Sequence, residues 1–245
     1  MVEHSLARCL IVAGMLLAGG PRRVAAESPF QRLKLESWKL TLPRDEDGNG
    51  SADEILPKDL ADFSSPEFFF ARDQDPIGVV FRAPCGGSTT RGSKYPRCEL
   101  REMHNGREAD WSTGDANLHV LKIRLQVSAT PAVKKHVVCA QIHDAKDDVL
   151  MVRLEGEKLL IERNAEGDVV LDRKYRLGAP FDLRIAAGRG RIQVAKDGVE
   201  HLNWETRRSG CYFKAGCYTQ SNLKSGDAAD SFGEVVLHSL SLSKE

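Results

Sequence analysis

The sequence predicts an all-β protein, built as a β-sandwich or jelly roll. Three observations carry this. Short runs of apolar or alternating residues recur along the chain. Glycine-containing turn pairs separate many of them. Convincing helical periodicity is scarce. Hydrophobic residues make up 41% and charged residues 29% of the 245 positions, so a folded chain is expected rather than a disordered one.

Taken in order, Trp38 to Leu42 alternates, and Gly78 to Arg82 is a short apolar run. Leu118, Val120, Ile123, Leu125 and Val127 stand among polar residues in a longer strand. Val149 to Leu154, Lys158 to Arg163, Val169 to Leu171, Phe181 to Ala187 and Arg191 to Lys196 follow. Glu155-Gly156, Glu166-Gly167, Gly188-Gly190 and Asp197-Gly198 supply turns between them. The last strand is Glu234 to Ser243, and Pro57 to Asp62 forms a short helical turn. No internal repeat or linker marks a second domain.

The first 26 residues read as a secretory signal peptide, with a membrane anchor as the second reading. Arg8 precedes a ten-residue apolar run, Cys9 to Ala18, which is too short to span a bilayer. Val24-Ala25-Ala26 then offers small residues for cleavage before Glu27. The remaining domain, 27–245, is long enough for one well-buried core. The whole chain balances 35 basic against 35 acidic residues. Cleavage removes Arg8, Arg22, Arg23 and Glu3, which leaves 32 against 34. Bulk charge therefore excludes non-specific binding to nucleic acid. The expected product is a secreted monomer with no membrane contact after cleavage.

Five cysteines remain: Cys85, Cys98, Cys139, Cys211 and Cys217. Export permits disulfides, but an odd count leaves a thiol over. Cys85 and Cys98 flank a Gly/Ser/Thr-rich loop and are placed to close it. Cys211 and Cys217 are too far apart to pair if one extended strand joins them. No CxxC spacing supports zinc. Asp45, Asp47 and Asn49 imitate the start of an EF-hand loop, but position twelve is Leu56, so a polar turn is expected. The carboxylate pairs Glu166/Asp168 and Glu108/Asp110 lack the third acid of the ExDxxE strand of sandwich hydrolases, having Leu171 and Thr113 there.

Three segments carry chemistry. Successive side chains of a strand point to opposite faces. In Tyr95 to Glu102, Arg97, Glu99 and Arg101 share a polar face, opposite Cys98 and Leu100. The plain alternative is a solvated salt-bridge ladder. In Val137 to Asp144, Gln141 and His143 face away from Val138, Ala140 and Ile142, and the alternation puts Cys139 on the polar face. In Cys211 to Gln220, Tyr212, Lys214, Gly216, Tyr218 and Gln220 form one row. Gly216 leaves room there for a ligand or for another backbone. Cations, amides and a His/Tyr pair suit a uronic acid: the first two hold carboxylates and the last moves protons.

RCELR at 97–101, QIH at 141–143 and YFKAGCYTQ at 212–220 resemble the three signature motifs of the alginate lyases of polysaccharide lyase family 7. Their order and wide spacing match as well, and the resemblance covers the chain after the leader. Cys98 departs from the family, which usually has Ser or Thr there. The resemblance implies a β-jelly roll, a concanavalin-like sandwich with a concave substrate groove, and endo-acting β-elimination of alginate. It implies that Arg97 and Gln141 neutralise the sugar carboxylate. It implies His143 as base toward the C5 proton and Tyr218 as proton donor to the departing oxygen, with a share as base on mannuronate. Glu99, Arg101, Tyr212, Lys214 and Gln220 bind and position the chain. No cofactor and no metal are expected. The Ile of QIH tends to accompany action on guluronate-containing blocks.

The chemistry accounts for these residue types. Removing a proton beside an ionised carboxylate builds a dianion, so an Arg and an amide are needed as it forms. A histidine, ordinarily near ~6.5, is largely neutral at pH 7 and suits a base; a tyrosine, ordinarily near ~10, keeps a proton to donate. The alternatives are a lyase for another polyuronate such as glucuronan, and a non-catalytic jelly roll that binds acidic polysaccharide. A binder would not need both His143 and Tyr218.

Overall fold

Residues 27–245, together with residue 1, are described by a computed structural model. The expected leader, including the apolar run at 9–18, falls outside the described residues. Among the described residues, no helix is long and apolar enough to cross a membrane. Among the described residues, α-helix is confined to two turns, α1 (Pro29–Leu33) and α2 (Pro57–Leu60), beside single 3-10 turns at Asn164–Glu166 and Leu223–Ser225. The second is the turn expected at 57–62. The first is started by a capping box, in which Ser28 and Gln31 satisfy each other's backbone N–H groups.

Among the described residues sixteen strands follow in order, beginning with β1 (Trp38–Thr41), β2 (Glu54–Ile55), β3 (Phe69–Arg72), β4 (Gly78–Pro84), β5 (Arg97–His104), β6 (Arg107–Glu108), β7 (His119–Ala129) and β8 (His136–His143). Then come β9 (Asp148–Glu155), β10 (Lys158–Glu162), β11 (Val169–Asp172), β12 (Phe181–Gly188), β13 (Arg191–Lys196), β14 (Val199–Glu205), β15 (Tyr212–Thr219) and β16 (Phe232–Lys244). One sheet runs β11-β10-β9-β8-β15-β5-β1-β2, with β6 paired to β5. The other runs β14-β13-β12-β7-β16-β4-β3. Every pairing is antiparallel, as the expected jelly-roll sandwich requires. Leu40, Leu100, Ile142, Phe213 and Ala215 of the first sheet meet Phe81, Ile123, Leu125, Ile185 and Val235 of the second in one buried core.

Four elements lie outside the expected strands: the two-residue β2 and β6, and the edge strands β14 and β3. β14 is mostly exposed, and only Leu202 is buried in it. Its alternation is too polar to stand out, and an edge strand needs only one side chain inside. β3 is a short stretch of Phe69, Phe70 and Ala71 just after Pro66, and it pairs only with β4.

The strand-parity reading of β8 needs one correction. Its register shifts between Val138 and Ala140 against β9, and β15 shifts against it at the same level. This bulge reverses the alternation. Val137 and Cys139 join Ala140 and Ile142 in the core, while Val138 pairs with Tyr218 on the opposite face. Cys139 is therefore a core thiol, donating to the Val152 carbonyl at 3.4 Å, and not a member of the polar row.

Candidate active site

The outer face of the first sheet gathers the residues singled out from the sequence. β5, β15 and β8 are neighbours, and their register sets the levels. His143 lies opposite Tyr212; Gln141 lies opposite Lys214, which lies opposite Arg101; Tyr218 lies between Val138 and Arg97. His143 and Tyr218 thus flank a central group of cations and an amide.

Glu99 organises that centre. It is 1% exposed and collects three donors: Arg97 Nη1 at 3.0 Å and Lys214 Nζ at 3.1 Å on one oxygen, and the Gln141 amide on the other. Arg97 is buried as well, so this is no solvated ladder. A buried carboxylate survives only when it is paired and hydrogen-bonded. Burial alone would raise the Glu99 carboxyl, but Lys214, Arg97 and Gln141 outweigh it and hold it below its ordinary range. Burial lowers the Lys214 ammonium to about 8, against the attraction of Glu99. Two cations meet one anion here, so the centre carries excess positive charge into which a carboxylate fits.

His143 is oriented by its backbone neighbour. Its Nδ1 lies 2.7 Å from the Asp144 carbonyl, which only accepts, so Nδ1 carries the hydrogen and Nε2 keeps a lone pair. The ring stacks on Tyr212, with centroids 5.3 Å apart and planes at 20°. Burial pushes the imidazole below its ordinary value; the Asp144 hydrogen bond opposes this and Lys214 adds to it. At the other flank, the Arg97 guanidinium lies 3.8 Å from the centroid of the Tyr218 ring, and the Tyr218 hydroxyl lies 3.4 Å from Ser93 Oγ.

The remaining expected residues divide. Arg101 covers the Tyr212 ring at 3.8 Å and bonds Glu108 at 2.9 Å. Glu108 also meets Lys39, which bonds Glu54, so Arg101 belongs partly to an ion network toward β1 and β2. Gln220, one residue past β15, turns to β9: Arg153 Nη1 donates to its Oε1 at 3.1 Å. Gly216 has φ +136°, and a Cβ there would meet the Cys98 carbonyl at 2.7 Å and Glu99 Cα at 3.0 Å. The close approach it permits is that of the β5 backbone.

Sequence reading missed Ser93, Tyr95 and Arg153. Ser93 accepts from Arg97 Nη2 at 3.1 Å, and Lys134 Nζ donates to the Tyr95 hydroxyl at 3.1 Å. Both residues lie in a loop, where parity says nothing. Arg153 was legible, because it alternates with the core residues Val152 and Leu154 on β9. The five cysteines among the described residues are free and buried, so neither the 85–98 nor the 211–217 closure forms. Cys98 instead donates to the Phe68 carbonyl at 3.2 Å, and β15 runs extended from beside Cys211 through Cys217. Among the described residues, Asp45, Asp47 and Asp53 bring oxygens within 4.8 Å of one another. Asp45 and Asp47 already accept the Asn49 and Gly50 N–H groups that close this expected polar turn.

Comparison with known proteins agrees with the motif reading. The alginate lyase family model matches residues 33–244. A solved alginate lyase of polysaccharide lyase family 7, AlgAT5, is 44% identical; the likeness covers 90% of this chain and 100% of that one, with a TM-score of 0.84. The alginate lyase from Corynebacterium sp. is 36% identical over 89% of this chain and 98% of its own, with a TM-score of 0.83. An alginate lyase of Klebsiella pneumoniae is 38% identical over 96 residues, which are 38% of this chain and 31% of that protein.

Proposed function

The chain belongs to the alginate lyase family, and on that premise we propose that it is a secreted, endo-acting lyase that cleaves alginate by β-elimination. The observation that carries this reading is the Glu99-centred group of Arg97, Lys214 and Gln141, flanked by His143 and Tyr218. A sugar carboxylate takes its place against the Arg97 guanidinium and the free N–H of the Gln141 amide. Those donors are already oriented by Glu99, so little reorganisation is needed as charge develops.

His143 Nε2 then takes the C5 proton. The electrons of that bond form the C4–C5 double bond, and the C4–O bond breaks. Tyr218 gives its phenolic proton to the departing oxygen. One proton leaves His143 and one returns to Tyr218 through water, which restores both groups. The products are a new reducing end and a chain with an unsaturated uronate at its non-reducing end. The QIH motif supports a preference for guluronate-containing blocks, and the leader read at 1–26 supports export.

Incubation with separate polyguluronate and polymannuronate is the test. Ultraviolet absorbance from unsaturated ends is expected on both, faster on polyguluronate, with oligomers of several lengths appearing early. Absorbance from neither, with activity on glucuronan, overturns alginate as the substrate. Tight binding without any absorbance overturns the lyase reading itself. Single unsaturated units as the first product overturn the endo mode.

A further inference from the structure

We propose that Ser93 is a positioning residue for the proton-donating Tyr218: its hydroxyl hydrogen turns from the Tyr95 carbonyl to the Tyr218 oxygen once that oxygen has given up its proton. This rests on the reading of Tyr218 as proton donor. A serine hydroxyl has one hydrogen and two acceptor lone pairs. Arg97 Nη2 donates to Ser93 Oγ at 3.1 Å, and the Tyr95 N–H donates to it at 3.3 Å. Both lone pairs are then in use. The single hydrogen has two oxygens to choose from, the Tyr95 carbonyl at 3.1 Å and the Tyr218 hydroxyl at 3.4 Å.

Two consequences follow. Ser93 has no lone pair left for the Tyr218 proton, so that proton stays free to point at the departing oxygen. After transfer, the phenolate is the better acceptor because it is charged, and the Ser93 hydrogen rotates to it. No bond of Ser93 breaks. The proton that leaves Tyr218 goes to the glycosidic oxygen, and the one that replaces it comes from water. Arg97, 3.8 Å from the same ring, favours the same charge. The loop holding Ser93 is fixed on three sides. Asn222 Nδ2 donates to the Lys94 carbonyl at 2.9 Å, Thr219 N donates to the Pro96 carbonyl at 3.1 Å, and Lys134 holds the Tyr95 hydroxyl.

The test compares Ser93→Ala, Ser93→Thr and Tyr218→Phe in the full chain. Ser93→Ala should lower kcat about tenfold to a hundredfold, the scale of one hydrogen bond to a charged group, with KM changed less than threefold. Its alkaline limb in the pH dependence of kcat, which the Lys214 effect on KM does not enter, should move to higher pH, because the phenolate loses a donor. Ser93→Thr keeps the hydroxyl and should recover most of kcat. Wild-type kcat and an unmoved alkaline limb in Ser93→Ala overturn the proposal. So does a threonine variant as slow as the alanine one while its unfolding midpoint matches wild type. If Ser93→Ala is poorly folded, the threonine variant decides: near-wild-type kcat with an unmoved limb supports the proposal, and a slow, well-folded enzyme overturns it. If Tyr218→Phe alone stays active, the donor reading fails; if it is inactive while Ser93→Ala is normal, only the Ser93 proposal fails.

Discussion

Tyr218 and His143 are held by different kinds of contact, and their substitutions should separate accordingly. Tyr218 is held through its ring by Arg97, so Tyr218→Phe keeps the packing and removes the hydroxyl, with its transferable proton and its Ser93 contact. Turnover should fall nearly to zero while oligouronate still binds, as measured by calorimetry; a rate near wild type would exclude this donor. If the proposed mechanism holds, Arg97→Ala removes a charge that the developing enolate needs and should cost about a hundredfold in kcat or more. The pH profile follows from burial. His143 is lowered, so the acid limb of kcat/KM should lie below the ordinary histidine value of ~6.5. Lys214 is lowered to about 8, so its ammonium is lost as pH rises through that value. KM should therefore climb above about pH 8 before kcat falls, because a polyanion loses one of its cations.

At the scale of the element, β15 depends on Gly216. Its φ of +136° lies where side chains are strained, and a Cβ would press on the β5 backbone. Gly216→Ala should destabilise the protein by about 2 kcal/mol or more, seen as a lower midpoint in denaturant with an unchanged slope. The β8 bulge at the same level explains why simple alternation failed for Cys139 and held for Gln141 and His143. The extra residue reverses parity only upstream of Ala140, so the two motif residues keep their face. β5 shows the opposite case. It has no register shift against β1 or β15, and the alternation of Arg97, Glu99 and Arg101 was readable directly.

At the scale of the molecule, the five cysteines among the described residues are all buried thiols. Burial pushes Cys98, Cys139 and Cys217 upward, which keeps them protonated and unreactive. A thiol reagent should find none of the five in the native protein and all of them after denaturation. Five thiols per chain mark removal of the first 26 residues, and a sixth, from Cys9, marks their retention. The balanced net charge shows why sums over a chain say little about a site. Glu99 is counted as an acid like any other, yet here it assembles two cations and an amide for an acidic substrate. The sequence by itself determined the all-β class and the motif residues, because strand periodicity and three spaced motifs are local patterns. Only the tertiary structure decided which strands adjoin, that Arg97 and Glu99 of the Arg-Glu-Arg stripe are buried, and that Ser93 and Arg153 reach motif residues. Those facts depend on strand order, a bulge and loop placement, where residues far apart in the chain meet at hydrogen-bond distance and no periodicity records it.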